Sequence, residues 1–210
     1  MSRSEETKIK NVAEKFLQWK NGGFQWYDKE TETKMEIKLP VKFLVLDTLS
    51  TVKGYSDANQ SGFWSNEVRD TKKEILSVYT KKGLAAKGLY EEVKVHANCT
   101  GAKYSQSVYI ALIEGDTLSL CNIQLMGAAV SAWIDFRKDN PDIFTGGIEV
   151  ATSIQGKKGA TVYQIPVFTK IEVSNDLNEK AKELDVILQQ YLTQYFKKSD
   201  PTIENDNTEK

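Results

Sequence analysis

The residues best able to do chemistry in this chain are cations set beside aromatic rings. Six such groupings recur: Lys53 with Tyr55, Trp64 with Arg69, Tyr79 with Lys81 and Lys82, Lys87 with Tyr90, Lys103 with Tyr104, and Lys157 and Lys158 with Tyr163. Side chains of these types suit an unpaired polynucleotide, whose phosphates attract cations and whose exposed bases stack on flat rings whatever their identity. A stacked base contributes about 1–3 kcal/mol, and each phosphate contact adds affinity that salt erodes through counterion release. One grouping alone is ordinary, since tyrosine packs on sheet faces and lysine ends strands. Six groupings within one antiparallel unit can converge on a single groove.

Catalytic chemistry is poorly supplied. Serine triads, cysteine–histidine pairs and histidine-based metal sites need a histidine in reach, and His96 is the only one. Cys99 lies three residues from it, a spacing that on a strand sends the two side chains to opposite faces. Cys99 and Cys121 form no C-x-x-C pair, and with a single histidine they close no zinc site unless carboxylates help. They read as reduced, half-buried thiols of a cytoplasmic protein. No phosphate-binding glycine loop and no dinucleotide fingerprint is present. No carboxylate cluster gathers for a divalent metal, and the neighbouring Glu91 and Glu92 would diverge on a strand. The expectation is a protein without enzymatic activity, metal or cofactor.

Composition fits that expectation. The 210 residues carry a net charge of −1, with 40 % hydrophobic and 27 % charged residues, as in one soluble domain with appendages. The neutral total hides an asymmetry. Lys53 to Ile110 holds nine Lys/Arg against six Asp/Glu, whereas Ser174 to Lys210 holds five against eight. A basic body with an acidic end is a pattern of nucleic-acid-binding proteins. No apolar run approaches the roughly 18 residues of a membrane span, and no export signal opens the chain.

The elements that must position these residues are mostly strands. Val41–Asp47, Ile75–Thr80, Tyr104–Ile113 and Thr117–Ile123 are short β-branched and aromatic runs bounded by Gly, Asp, Asn and Lys, the mark of consecutive antiparallel strands. Further strands are expected at Phe63–Val68, from Gly88 through Val95, at Phe144–Ile154 and at Ala160–Val173. The last two are joined by a turn that projects Lys157 and Lys158 from a hairpin tip. Ile9, Val12, Phe16 and Trp19 fall on one face of an N-terminal helix ended by Gly22-Gly23. Ala129, Trp133 and Phe136 mark a second helix near 126–138. Leu177, Ala181, Leu184, Leu188, Tyr191 and Tyr195 form a seam along a C-terminal helix, either laid on the body or used to pair with a second copy. The domain plan is thus a helix within 1–23, a binding domain over 24–173, an amphipathic helix over 174–198 and a disordered polar tail over 199–210.

In order and character, several of these stretches resemble bacteriophage single-stranded DNA-binding proteins. The resemblance rests on Leu39–Asp47, on Phe63-Trp64-Ser65-Asn66-Glu67-Val68, on Gly83–Tyr90, on Gly101–Tyr109, on the helix around Trp133, and on Tyr163-Gln164-Ile165-Pro166-Val167-Phe168. It covers about residues 24–173. It implies a mainly β fold with an OB-like antiparallel barrel elaborated by three helices. It also implies sequence-tolerant coating of single-stranded DNA during phage replication or recombination, alone or as a small oligomer. Many such proteins recruit partners through an acidic tail with a terminal aromatic. This chain has Asp200, Glu204, Asp206 and Glu209 but ends in Lys210, so recruitment of replication or recombination proteins by that route is not expected. Two neighbouring roles use the same elements: a phage structural or assembly protein, and a single-strand annealing accessory protein.

Overall fold

The structure, a computed structural model, describes residues 10–28, 30–56 and 61–199. It is mainly β, a mixed open sheet of 11 strands with three helices. The strands are β1 (Lys15–Lys20), β2 (Gly23–Asp28), β3 (Thr33–Ile37), β4 (Val41–Ser56), β5 (Ser61–Ser65), β6 (Leu76–Thr80), β7 (Gly83–Gly88), β8 (Ala102–Glu114), β9 (Thr117–Met126), β10 (Gly147–Lys158) and β11 (Thr161–Ile171). The helices are α1 (Tyr90–Thr100), α2 (Ala128–Asp139) and α3 (Asn175–Ser199). None of them is long and apolar enough to cross a membrane. Strand order is β3-β2-β1-β9-β8-β4-β5-β6-β7, with β10 paired to the start of β4 and β11 paired to β10. Among the described residues only the β1–β9 pair is parallel.

β4 organises the sheet. Its 16 residues pair along their length with β8, while their other edge takes β10 at Val41–Phe43 and β5 at Lys53–Ser56. A bulge between Val45 and Asp47 re-aims its side chains. One face of the sheet carries the main core, with Leu17, Phe24, Phe43, Ile110, Ile123 and Trp133 fully buried beneath α2 and the β10–β11 hairpin. The same face continues over the β5–β7 extension. There Val52, Phe63, Leu76 and Val78 pack with Val93 of α1. The opposite face is covered in part by α3, through Ala181, Leu188, Tyr191 and Leu192.

Three expectations are corrected. The barrel does not close: among the described residues β11 pairs only with β10, and its approach to β1 is bridged by a side chain, the Trp19 indole N–H donating to the Gln164 carbonyl at 2.9 Å. α2 fills the space between β9 and β11, where Trp133 and Phe136 meet Phe168. The helix set also differs. Lys15–Lys20 is a strand, with Leu17 buried and Phe16 exposed, because pairing with β9 imposes period two on residues whose spacing also suited a helix. Tyr90–Thr100 is a helix where a strand was expected. Glu91 and Glu92 occupy its first turn, where acidic groups suit the positive end of the helix, and the Leu89 N–H donates to Glu92 Oε2 at 2.8 Å.

The seam of the C-terminal helix is used on its own chain. Leu184, Leu188, Tyr191 and Tyr195 pack on the sheet, so the face offered for pairing with a second copy is occupied by the body. The expected tail over 199–210 lies almost wholly outside the described residues.

Candidate functional site

The cation–aromatic groupings can be followed through the strand register. Lys103 of β8 is paired with Lys53 of β4, Lys53 with Trp64 of β5, Trp64 with Tyr79 of β6, and Tyr79 with Leu84 of β7. Directly opposed residues share a face, so one row runs Lys103–Lys53–Trp64–Tyr79–Leu84 across five strands. Tyr55 lies two residues beyond Lys53, and Lys87 faces Ser77 two residues before Tyr79, so both join the same face. The side chains under this patch, Val52, Phe63 and Val78, alternate to the opposite face and hold it flat against α1. The rings therefore stay out of the core, Tyr55 being 54 %, Trp64 45 % and Tyr79 38 % exposed, and the aliphatic Leu84 at the end of the row is 56 % exposed. Lys81 and Lys82 form the turn between β6 and β7 at the margin of this face.

The electrostatics separate this face from most of the surface. Lys15, Lys42, Lys73, Lys94, Lys138, Lys170, Lys180 and Lys182 each pair with a carboxylate. Among the described residues no carboxylate pairs with Lys81, Lys82, Lys87, Lys103, Lys157 or Lys158. Lys34, Lys38 and Lys72 are also unpaired there, so it is the company of exposed rings that singles the site out. Burial holds the Lys53 ammonium below its ordinary pKa, while the charge of Glu67 acts in the opposite sense. Behind this pattern is a feature readable in the sequence: Thr48–Ser56, Ile75–Tyr90, Gly101–Ile113 and Val150–Ile171 contain lysines but no Asp or Glu, and Ser61–Asn66 carries no charge at all. Cation–aromatic spacing does not single out Leu84 or Lys20; the acid-free run Ile75–Tyr90 is the signal that points to Leu84, and Lys20 lies in a further acid-free run, Lys15–Tyr27.

Other expected site residues are placed elsewhere. Tyr90 and Tyr104 lie on the opposite face, in edge contact with ring centroids 5.3 Å apart, and the Tyr104 hydroxyl shares a hydrogen bond with Ser50 at 3.0 Å. Arg69 is drawn to α3: its guanidinium donates to both oxygens of the buried Asp47 at 3.0 and 2.9 Å and lies over the Phe196 ring. The β5–β6 connection is fixed nearby, because the Tyr195 hydroxyl accepts from the Glu67 N–H at 2.7 Å. Glu67 in turn accepts from the Tyr109 hydroxyl at 2.9 Å, and Asn11 donates to the hydroxyls of Tyr109 and Tyr191. Burial first, then the Glu67 charge, raises the Tyr109 phenol far above its usual range and pushes Tyr191 up to about 12.

Lys157, Lys158 and Tyr163 form a separate group on the β10–β11 hairpin. Lys158 and Tyr163 line a groove of about 960 Å³ with Lys20 and the start of α2, and Lys103 lines it too.

Among the described residues no group of three or more His, Cys, Asp or Glu side chains is arranged to hold a metal ion. Cys121 is buried, and its thiol is pushed up to about 12 by desolvation, which leaves it protonated and unreactive. Comparisons of the chain with protein-family models, with curated proteins and with solved structures found no match.

Proposed function

We propose that the face bearing Trp64 and Tyr79 binds single-stranded DNA with little sequence preference. The protein would then act as a non-enzymatic coat for exposed strands in replication or recombination, as the resemblance to phage proteins implies. One observation carries the proposal: the row Lys103–Lys53–Trp64–Tyr79, in which cations and exposed rings from four strands stand side by side. Stacking reads no base edge, because every base has a flat face, and lysine meets phosphate as a point charge. The sheet has the geometry for both at once, with neighbouring strands about 4.8 Å apart. The OB-like core implied by the resemblance belongs to the same proposal, as a relative opened between β1 and β11.

Fluorescence titration with oligo-dT at about 50 and 300 mM salt is the test. Binding at low salt that weakens steeply at high salt is the expected result. Undetectable binding at low salt, or affinity indifferent to salt, overturns it.

A further inference from the structure

We infer that the bound strand does not end at the aromatic face but turns round the open end of β8 and β9 into the groove beneath the β10–β11 hairpin tip. This course makes the site selective for unpaired over duplex DNA. The inference rests on the function proposed above and adds the path of the strand and the structural reason for excluding a duplex.

Lys103 is the joint. It stands in the cross-strand row opposite Lys53, and it also lines the groove together with Met126, the last residue of β9. From there the groove runs between the start of α2 and the hairpin, with Lys20 and Lys158 both in its lining. The one carboxylate along it, Asp135, is paired with Lys138 at 3.3 Å. Two exposed apolar side chains of the hairpin, Ile154 and Val162, add surface that a base can cover.

A stacking platform is built into the hairpin. Tyr163 is paired with Gly156, and its ring lies so close over that glycine that a Cβ there would stand 2.8 Å from the ring Cζ. Glycine at 156 thus lets the ring lie flat across the neighbouring strand, as aromatic residues do over glycines in sheets. The flat ring then lines the groove beside Lys158, repeating on the hairpin the ring-and-ammonium pairing of the sheet face.

The turn at Lys103 decides the substrate. A flat basic face could meet one flank of a duplex, but a double helix with a persistence length of about 150 base pairs does not follow a path round the end of a sheet. An unpaired strand bends within a few nucleotides. From Lys103 to Leu84 the row crosses four strand spacings, about 19 Å. A short oligonucleotide therefore fills the face alone, and only a longer one reaches the groove.

The experiment compares the full chain with the double variant Lys158→Gln/Tyr163→Leu. The ligands are labelled oligo-dT of about five and about fifteen nucleotides, with a fifteen-base-pair duplex as competitor. The variant is expected to bind the short oligomer within twofold of the original chain. It should bind the long one roughly tenfold more weakly and lose most of the preference over duplex. Gly156→Ala, which lifts the ring while leaving it present, should shift the long oligomer in the same direction. Unchanged affinity for the long oligomer, or equal weakening for both lengths, overturns the path. Absence of salt-dependent binding by the original chain overturns the face itself, and this inference with it.

Discussion

Replacing Trp64 with alanine separates the contribution of the rings from that of the charges. The side chain is 45 % exposed, its neighbours in the row are Lys53 and Tyr79, and the core beneath it is built from Phe63 and Val78 of the other face. Folding should lose only cross-strand contacts, about 0.2–1 kcal/mol. Binding should lose one stacked base, about 1–3 kcal/mol or roughly 5- to 150-fold in affinity. The slope of log affinity against log salt should not change, since tryptophan releases no counterion. Lys103→Gln gives the opposite signature, a modest loss at fixed salt with the slope reduced by about 0.7. If Lys53, Lys81, Lys82, Lys87 and Lys103 all meet phosphates, the slope lies near −3.5 and affinity falls about 500-fold between 50 and 300 mM salt. Anisotropy of a labelled oligo-dT measures both quantities, and a thermal melt confirms that each variant is folded. A folded Trp64→Ala chain that binds within twofold of the original would refute stacking at this face. A slope that Lys103→Gln leaves untouched would refute its phosphate contact.

Further outcomes follow from the same geometry. Arg69→Ala should cost about 1–3 kcal/mol of stability, because Asp47 loses its bidentate partner, while DNA affinity stays unchanged at temperatures where the variant is folded; a fall in affinity equal to that of Lys103→Gln would place Arg69 at the interface after all. Phosphate favours the charged form of Lys53, whose pKa is depressed by burial, so affinity should begin to fall at a lower pH than for an ordinary lysine. Lys53→Arg should remove that early component, and an unaltered pH profile of binding would count against it. Tyr191 has a pKa raised in the folded state, so the stability it supplies is complete below 10.0 and drains away as pH climbs toward about 12; urea unfolding across that window should show a shallower decline for Tyr191→Phe. Gly54→Ala should destabilise the sheet, because a Cβ at that position would come within 2.5 Å of the Gly101 carbonyl oxygen, which belongs to backbone with little room to yield.

Several strands were legible in the sequence because burial and period agreed. Val41–Asp47 is nearly continuous in apolar character, and its segment of β4 is covered on both faces, by α2 and by α3. Phe16 and Trp19 show why the amino-terminal segment was misread: a separation of three suits one helical face, and only parallel pairing with β9, a hundred residues away, decides for a strand. Val93 and Val95 alternate as in a strand, yet Val93 alone is buried, under a helix whose first turn holds Glu91 and Glu92. Within the candidate site, Lys53, Tyr55, Trp64, Tyr79 and Lys103 come together on one face because the β8–β4, β4–β5 and β5–β6 ladders hold register there, and Lys87 joins them opposite Ser77 across a β6–β7 ladder that is irregular between Val78 and Tyr79. Tyr90 and Tyr104 looked equivalent by composition, but Tyr104 is paired with Val52 and so turns to the core side. Arg69 carried no sign of its partner, since Asp47 and α3 reach it only through the fold.

β4 gives the molecule a mechanical property of its own. The rings sit at the far end of a beam whose near end is clamped in the main core, and whose midpoint, at Asp47, is lashed through Arg69 to the carboxy-terminal helix. The lashing stiffens the beam at its middle and on the same face as the rings, because Leu49 beneath α3 and Lys53 beside Trp64 lie an even number of residues apart on β4.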